Sequence, residues 1–434
     1  MKHTAVIGAQ WGDEGKGKIV DFLASKHDVV VRFQGGNNAG HTVVVEGEKY
    51  PLHLLPSGIL YQDKICVIGD GVAVNPAVLV EELASLKKRV GKTAKVHLSS
   101  KAQVIMPWHV VRDGIEGERV GTTGRGIGPV YADATGRTGI RVMDLLNAKV
   151  GREKVAERAK WNKRLIETLL KHHGVRAGKK LTEEIGAAVD AKRVWEEYKK
   201  LLAKLKKLGV VVGDTGELLA ARQAAGGRIL FEGAQATLLD VTHGDYPFVT
   251  SSHPSLGGVY IGAGIRPKDL HVVGVAKAYA TRVGNGPFPT ELTNRIGDKL
   301  REVGHEFGTT TGRPRRCGWL DLVALKYAAR VNGFDSLAIT KLDVLSGLTE
   351  VRVAVGYTHS GKRISSYPAD ERVREKVRPM YKTFTGWRKD VSGARKMADL
   401  PMAARRYLEF VEKSLGVPIA MVGVGPGREE LVRA

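Results

Sequence analysis

The sequence predicts an α/β protein: a large, mostly parallel central sheet flanked by helices, in one domain over residues 1–434 with a helical insertion at about 149–207. Three observations predict it. Short, β-rich apolar runs recur and several end in small or polar residues, as in "DVVVRFQGGNNAGHT", "GRILFEGAQAT", "LHVVGVAKAYAT", "FDSLAITKLD" and "PIAMVGVGPGR". Helical patterns lie between many of them, over 76–90, 149–172, 187–207 and 318–331. A glycine-rich loop joins an apolar start to an amphipathic stretch in "VIGAQWGDEGKGKIVDFL". Alternating strands and helices build a parallel sheet covered on both faces, and ligands of such sheets bind beyond the carboxyl ends of the strands. The polar tails of the five runs are therefore expected to share one site.

Strand, glycine-rich loop and helix in succession offer backbone N–H groups and a helix dipole to phosphate, and Lys16 adds a point charge. The loop departs from the usual G-x-x-x-x-G-K-[ST] pattern. Six residues separate Gly8 from Gly15, and Gly17 stands where a metal-binding Ser or Thr belongs. Asp13 and Glu14 place negative charge inside a phosphate loop. Such a carboxylate has a use if it holds Mg²⁺ between phosphates, or takes a proton from a second substrate bound against the same loop.

After the second apolar run comes "QGGNNAGHT", in which Asn37 and Asn38 can donate and accept and His41 can act as acid or base near neutral pH. "GTTGRGIGP" packs Thr122, Thr123 and Arg125 among glycines, donors that suit a phosphomonoester; a long hairpin turn is the alternative. "FEGAQATLLDVTHGDYPFVTSSHP" puts Gln235 just past a buried strand and ends in Thr250, Ser251 and Ser252, a loop suited to reading a base or ribose. "TTTGRPRRCGWLD" combines threonines with Arg313, Arg315 and Arg316, and arginine grips carboxylates bidentately. "LAITKLD" approaches the N-K-x-D guanine reader, with Thr340 in place of the asparagine. A carboxylate at Asp343 accepts from both N1–H and the 2-amino group of guanine, a donor pair adenine lacks.

Composition narrows the class. The chain is 43% hydrophobic and 26% charged, enough apolar material for a sizeable core, and no apolar run is long enough to span a membrane. "MKHTAVIGAQWG" does not read as a secretory leader, and two distant cysteines, Cys66 and Cys317, make neither a disulfide framework nor a zinc site. A reducing, cytoplasmic setting is expected. The net charge of +22 invites a nucleic-acid reading. Much of the excess lies in 149–207, where Val155, Ala159, Leu165, Ile166, Val194, Trp195 and Leu205 recur at helical spacing with Lys and Arg between them. Solvated helix faces explain that pattern, and no stacking platform accompanies it. No specific nucleic-acid partner is expected.

Taken in order along nearly the whole chain, "QWGDEGKGK", "NNAGHT", "GTTGRGIGP", "EGAQ", "YPFVTSS", "TTTGRPRRCGWLD" and "TKLD" closely resemble the adenylosuccinate synthetase family. The resemblance implies a ligase with a P-loop-like GTP site. It joins IMP to L-aspartate with GTP and one Mg²⁺ per subunit, through a 6-phosphoryl-IMP intermediate, giving adenylosuccinate, GDP and phosphate. By resemblance, Asp13 takes the N1 proton of IMP, His41 donates to the β-phosphate, and Mg²⁺ binds Asp13 and the carbonyl of Gly40. Gly12, Asp13, Glu14, Gly15, Lys16, Gly17 and Lys18 resemble the GTP phosphate loop, with Gly40, His41 and Thr42 closing around phosphate and metal. Lys341, Leu342 and Asp343 are similar to the guanine site, and Gly423, Val424 and Gly425 lie near the same base.

On the acceptor side the resemblance implies that Asp13, Glu14, Gly15 and Lys16, together with Asn38, Ala39, Gly40 and His41, border IMP. Thr123, Gln235, Thr250 and Arg313 match further IMP contacts. Arg137 matches an arginine that reaches IMP in the partner subunit, so a homodimer is implied. Thr309, Thr310, Thr311, Gly312, Arg313, Pro314 and Arg315 resemble the loop that closes over aspartate, with Arg315 also near GTP. Three positions depart from the family pattern: Gly423 where serine is common, Pro314 where several relatives carry arginine, and Ala236 where glycine is frequent. None removes a catalytic group. A GTP-hydrolysing switch protein, the main rival, should carry Ser or Thr where Gly17 stands.

Overall fold

The computed structural model describes residues 3–117, 121–308 and 312–433. Its centre is an eleven-stranded sheet, whose strands we number in chain order. They are β1 (His3–Gly8), β2 (Val29–Gly36), β3 (Ile65–Val74), β4 (Lys95–Ser99), β5 (Gln103–Val104), β6 (Val211–Gly213), β7 (Ile229–Glu232), β8 (Leu270–Lys277), β9 (Ser336–Thr340), β10 (Ile419–Gly423) and β11 (Leu431–Arg433). The order across the sheet is β11-β10-β9-β8-β1-β7-β2-β3-β4-β6, with β5 beside β3. Every pairing is parallel except that of the edge strand β11 with β10. The five apolar runs of the sequence are β2, β7, β8, β9 and β10, and with β1 they form one contiguous parallel block.

Alternation along those strands assigns two cores. Ala5 and Ile7 of β1, Val29, Val31 and Phe33 of β2, and Leu337 and Ile339 of β9 face one cluster. Val6, Val30, Leu230, Val273 and Ala338 face the other. Both faces are buried, so the strands read as continuous apolar runs rather than alternating ones. All eight residues of β2 and all five of β9 are buried.

The helices follow the sequence pattern with local corrections. Pro76–Val90 matches the expected span, and Asn75 caps it through bonds from Ala77 and Val78 N–H. Ala148–His172 matches the long basic pattern. The expected helix over 187–207 begins at Ala191, where Asp190 caps it, and a separate helix, Lys179–Ala188, precedes it. The pattern over 318–331 begins as a helix only at Leu322: Arg316–Gly318 and Leu320–Asp321 are strands, and the Asp321 carboxylate caps the helix at Val323 and Ala324. Val155, Ala159, Ile166, Val194, Trp195 and Leu205 turn inward, as their spacing required. A small mixed sheet around Glu350–His359 and Arg378–Thr385, and the hairpin His41–Val45 with Glu48–Leu52, carry no such signal in the sequence.

Candidate active site

The carboxyl ends of β1, β2, β7, β8 and β9 open on one cleft of about 480 Å³, whose lining includes Asp13, Lys16, His41, Gln235, Arg315 and Lys341. The convergence expected from the polar tails is realised for the runs of β2, β7 and β9, with Arg282 following the β8 run, whereas Gly423, Val424 and Gly425 after β10 are not among the cleft-lining residues. The loop after β1 turns sharply: Gly12, Asp13 and Gly15 have φ of 92°, 58° and 83°, so a non-glycine residue is held in the left-handed region at Asp13. Gly15 caps the helix Lys16–Ala24 without a side-chain cap, and Gly15, Lys16 and Gly17 at its N-terminus line the cleft.

Glu14 is what shapes this loop. Its carboxylate is buried and accepts from the N–H of Gln10 (3.1 Å) and Gly12 (2.9 Å) and from Lys16 Nζ at 2.5 Å. Its carbonyl accepts from Thr340 Oγ1 at 2.6 Å, tying the loop to the end of β9. Asp13, by contrast, is exposed to the cleft and accepts from Arg315 Nε at 2.8 Å. The two loop carboxylates thus divide: one is structural, the other is available. Trp11, just before them, is fully buried and donates to Asp245 at 2.7 Å.

His41 opens the hairpin after β2 and pairs through Nδ1 with Glu232 Oε1 at 2.5 Å. Glu232, the last residue of β7, also accepts from Ser57 N and Ser57 Oγ, each at 2.7 Å. Burial lowers the imidazole pKa, with Glu232 opposing. Burial would raise the Glu232 carboxylate, but the His41 contact holds it below its ordinary value. A charged carboxylate on Nδ1 keeps the proton there and leaves Nε2 for another partner.

At the candidate guanine site, Asp343 begins the short turn Asp343–Leu345 after β9. Its Oδ1 is buried without a hydrogen-bond partner, and burial raises the carboxyl pKa. Lys341, at φ 57°, donates to Glu306 Oε1 and to the carbonyl of Gly304, both at 2.7 Å. Leu342 is buried and its N–H donates to the carbonyl of Gly423 at 3.0 Å, which brings the two candidate guanine loops together. Lys18 donates to the carbonyls of Gly425 (2.6 Å) and Glu430 (2.7 Å), and burial lowers its pKa to about 8. Its ammonium therefore serves the 423–430 loop. A Cβ on Gly423 would sit 3.3 Å from Thr340 Cα and 3.6 Å from Lys18 Nζ, so glycine suits this crowded spot.

On the acceptor side, Gln235 (φ 54°) donates to Asn38 Oδ1 at 3.2 Å, joining the loops after β7 and β2. Asn38, Ala39, Gly40, Thr42 and Thr123 line the same cleft, as do Gly17, Arg313 and Pro314. Asp113 braces the threonine loop by accepting from Thr122 Oγ1 and Gly126 N, each at 2.8 Å. Thr250 lies behind the wall, its hydroxyl buried without a partner and its N–H bonded to Leu239. Arg137 is exposed at φ 61°, away from the cleft of its own chain. Gly312 lies beside the cleft-lining arginines at φ 63°, while Thr309, Thr310 and Thr311 lie outside the described residues.

Among the described residues, no group of three or more His, Cys, Asp or Glu side chains gathers as a metal cage. The cleft offers instead the Asp13 carboxylate and main-chain carbonyls, a set that suits Mg²⁺, which takes one or two protein oxygens and completes its shell with phosphate and water. Arg315 already holds positive charge beside Asp13. Sequence reasoning missed Glu232, Ser57, Glu306 and Lys277. For Glu232 a signal was present, a carboxylate ending a buried strand in "FEGAQ".

A family model for adenylosuccinate synthetase matches residues 5–432. An adenylosuccinate synthetase of Carboxydothermus hydrogenoformans is 51% identical over 438 aligned residues, covering 100% of this chain and 99% of that one. One of Heliobacterium modesticaldum is 48% identical with the same coverage. Among solved structures, the fully ligated adenylosuccinate synthetase of Plasmodium falciparum superposes with a TM-score of 0.86 at 40% identity, covering 99% of both chains. A cyanophage S-2L succinoaminodeoxyadenylate synthetase shares the fold at a TM-score of 0.61 and 19% identity. With nearly every residue matched, the cleft at the ends of these strands is that of a member of the adenylosuccinate synthetase family, to which this chain belongs.

Proposed function

We propose how this chain carries out its family's reaction, the GTP-dependent ligation of L-aspartate to IMP that yields adenylosuccinate, GDP and phosphate. The 6-oxo group of IMP is a poor leaving group, so it must first become a nucleophile and then an ester. Asp13 removes the N1 proton, and the 6-oxygen attacks the γ-phosphate of GTP. The observation that carries this assignment is the contrast within the loop: Glu14 is consumed by internal hydrogen bonds, whereas Asp13 faces the cleft. The aspartate amine then displaces the 6-phosphate.

Charge is managed by groups already in place. The N-terminus of Lys16–Ala24 and the Lys16 ammonium receive the GTP phosphates. His41, its Nδ1–H held by Glu232, directs Nε2 to the β-phosphate and donates as charge builds on the departing GDP. Asp343 accepts the N1–H and 2-amino group of guanine with its two carboxylate oxygens, of which Oδ1 is otherwise buried without a partner. Asp13 and the Gly40 carbonyl would hold Mg²⁺, which supplies charge neutralisation at the phosphates. Lys18 fixes the loop Gly423, Val424, Gly425 beside the base.

The acceptor site takes IMP against Asn38, Gln235 and Thr123, with Thr250 behind them and Arg137 contributed across a homodimer. Arg313 and Arg315 clamp the dicarboxylate of aspartate. We place the reaction in the cytoplasm. A dropout assay with IMP, GTP, L-aspartate and Mg²⁺ tests the proposal: adenylosuccinate and GDP should form in equal amounts, and omission of any component should stop both. GDP formed without IMP or aspartate would instead make the protein a GTPase.

A further inference from the structure

The segments 306–308 and 313–315 run antiparallel beside the cleft. Arg315 N donates to the Glu306 carbonyl (2.8 Å), Gly308 N to the Arg313 carbonyl (2.9 Å), and Phe307 bridges Pro314. The pairing fixes where Arg313 and Arg315 start from, and Arg315 reaches Asp13. Among the described residues, nothing in the motif-bearing sequence explains what holds the 306–308 side in place. The Glu306 side chain does.

Glu306 is 3% exposed and its carboxylate collects three donors: Lys341 Nζ and Tyr279 OH on Oε1, at 2.7 and 2.5 Å, and Lys277 Nζ on Oε2, at 2.7 Å. Each donor comes from a different part of the site. Lys341 follows β9 directly and stands two residues before Asp343. Lys277 ends β8, and its N–H donates to Gln10 Oε1 at 2.9 Å, at the start of the phosphate loop. Tyr279 accepts from Gln10 Nε2 through its carbonyl, also at 2.9 Å. One carboxylate therefore joins the guanine turn and the phosphate loop to the strand pair that carries both arginines.

We infer that Glu306 is a positioning residue that couples the guanine site to the placement of Arg313 and Arg315, so that guanine-nucleotide binding and aspartate binding strengthen each other. Two ammonium groups share the one carboxylate, so Lys341 can shift with Asp343 when guanine is captured while Lys277 keeps Glu306 compensated. Lys341 also donates to Gly304, two residues before Glu306, and so grips the strand pair at two points. A displacement of the 341–343 turn is passed to 304–306 through these contacts, and from there to Arg315 through the main-chain bond. Coupling of this kind is reciprocal by thermodynamic necessity.

This inference rests on the guanine and aspartate assignments above, and equilibrium binding separates the two. With IMP present, L-aspartate affinity is measured by calorimetry with and without GDP, which fills the guanine site without turnover. GDP should tighten aspartate binding by about fivefold or more, and aspartate should tighten GDP by the same factor. In Glu306→Gln that factor should fall to near one while IMP affinity is retained. Tyr279→Phe, which removes one donor and leaves both ion pairs, should reduce it partially and serves if the first variant does not fold. Coupling absent from the unaltered protein, or unchanged in whichever variant folds, overturns the inference. Failure of the unaltered protein to bind GDP or aspartate at all would overturn the site assignments themselves.

Discussion

The two walls of the cleft are built differently. On the nucleotide wall, polar groups are tied to neighbouring strands: Glu14 to Thr340, Lys18 to Gly425 and Glu430, Glu306 to Lys277 and Lys341. In the turn after β9, Asp343 Oδ1 and Ser346 Oγ are buried without a partner among the described residues. Behind the loops that follow β2 and β7, Gln34 Oε1, Asn37 Oδ1 and Thr250 Oγ1 are buried without a hydrogen bond. Burying such groups costs about 1–3 kcal/mol each unless something satisfies them. We propose that protein contacts hold most of the nucleotide side, with the 341–343 turn free to shift, whereas the acceptor side is completed by its substrates.

The largest test of that contrast separates the two loop carboxylates. Asp13→Asn keeps a residue that tolerates the left-handed backbone but removes the base, and kcat should fall by about a thousandfold with the thermal midpoint nearly unchanged. Glu14→Gln should do the reverse in kind, lowering the midpoint because it weakens three buried contacts. Equal effects of both on stability would break the division of labour.

Next in size is the guanine reader. Asp343→Asn should cost about a hundredfold or more in kcat/KM for GTP and raise relative use of xanthosine triphosphate, since the amide now donates where the carboxylate accepted. Unaltered GTP preference would remove Asp343 from the site. Glu232→Gln should lower kcat by about tenfold or more with little change in KM for IMP, because His41 loses the charged acceptor that fixes its tautomer. Unchanged turnover would make the pair purely structural.

The smallest effect is on acid stability. Burial alone would raise the Glu306 carboxyl, but Lys277 and Lys341 hold it at about 2, against an ordinary 4.5. The stability it contributes is fully present above pH 4.5 and lost as pH falls towards 2. Denaturation curves of the parent and Glu306→Gln should therefore differ at neutral pH and converge across that window. A constant gap would contradict the pairing.

The reach of the sequence follows the same division. The parallel block and most of its shared cleft were legible because buried strands read as apolar runs ending in polar tails, and the turn after β1 because its glycines are dense around a lysine. Glu306 was not, since its partners Tyr279, Lys277 and Lys341 stand 27, 29 and 35 residues away and no local pattern announces them. The roles of Lys16 and Lys18 could not be told apart either. Both follow the loop, and only the fold aims one at Glu14 and the other at the 423–430 loop. The first residues of the 318–331 pattern are not helical because the pairings of Gly318 with Ala280 and of Leu320–Asp321 with Val353 and Ala354 outweigh local periodicity there.

The central claim is that the 6-oxygen of IMP attacks GTP and leaves as phosphate. Turnover of IMP carrying oxygen-18 at position 6 tests it most directly, by mass spectrometry of the inorganic phosphate. The label should appear in phosphate, one atom for each adenylosuccinate formed. Phosphate free of label would mean that the 6-oxygen never received the phosphoryl group, and the role given to Asp13 would fall with it.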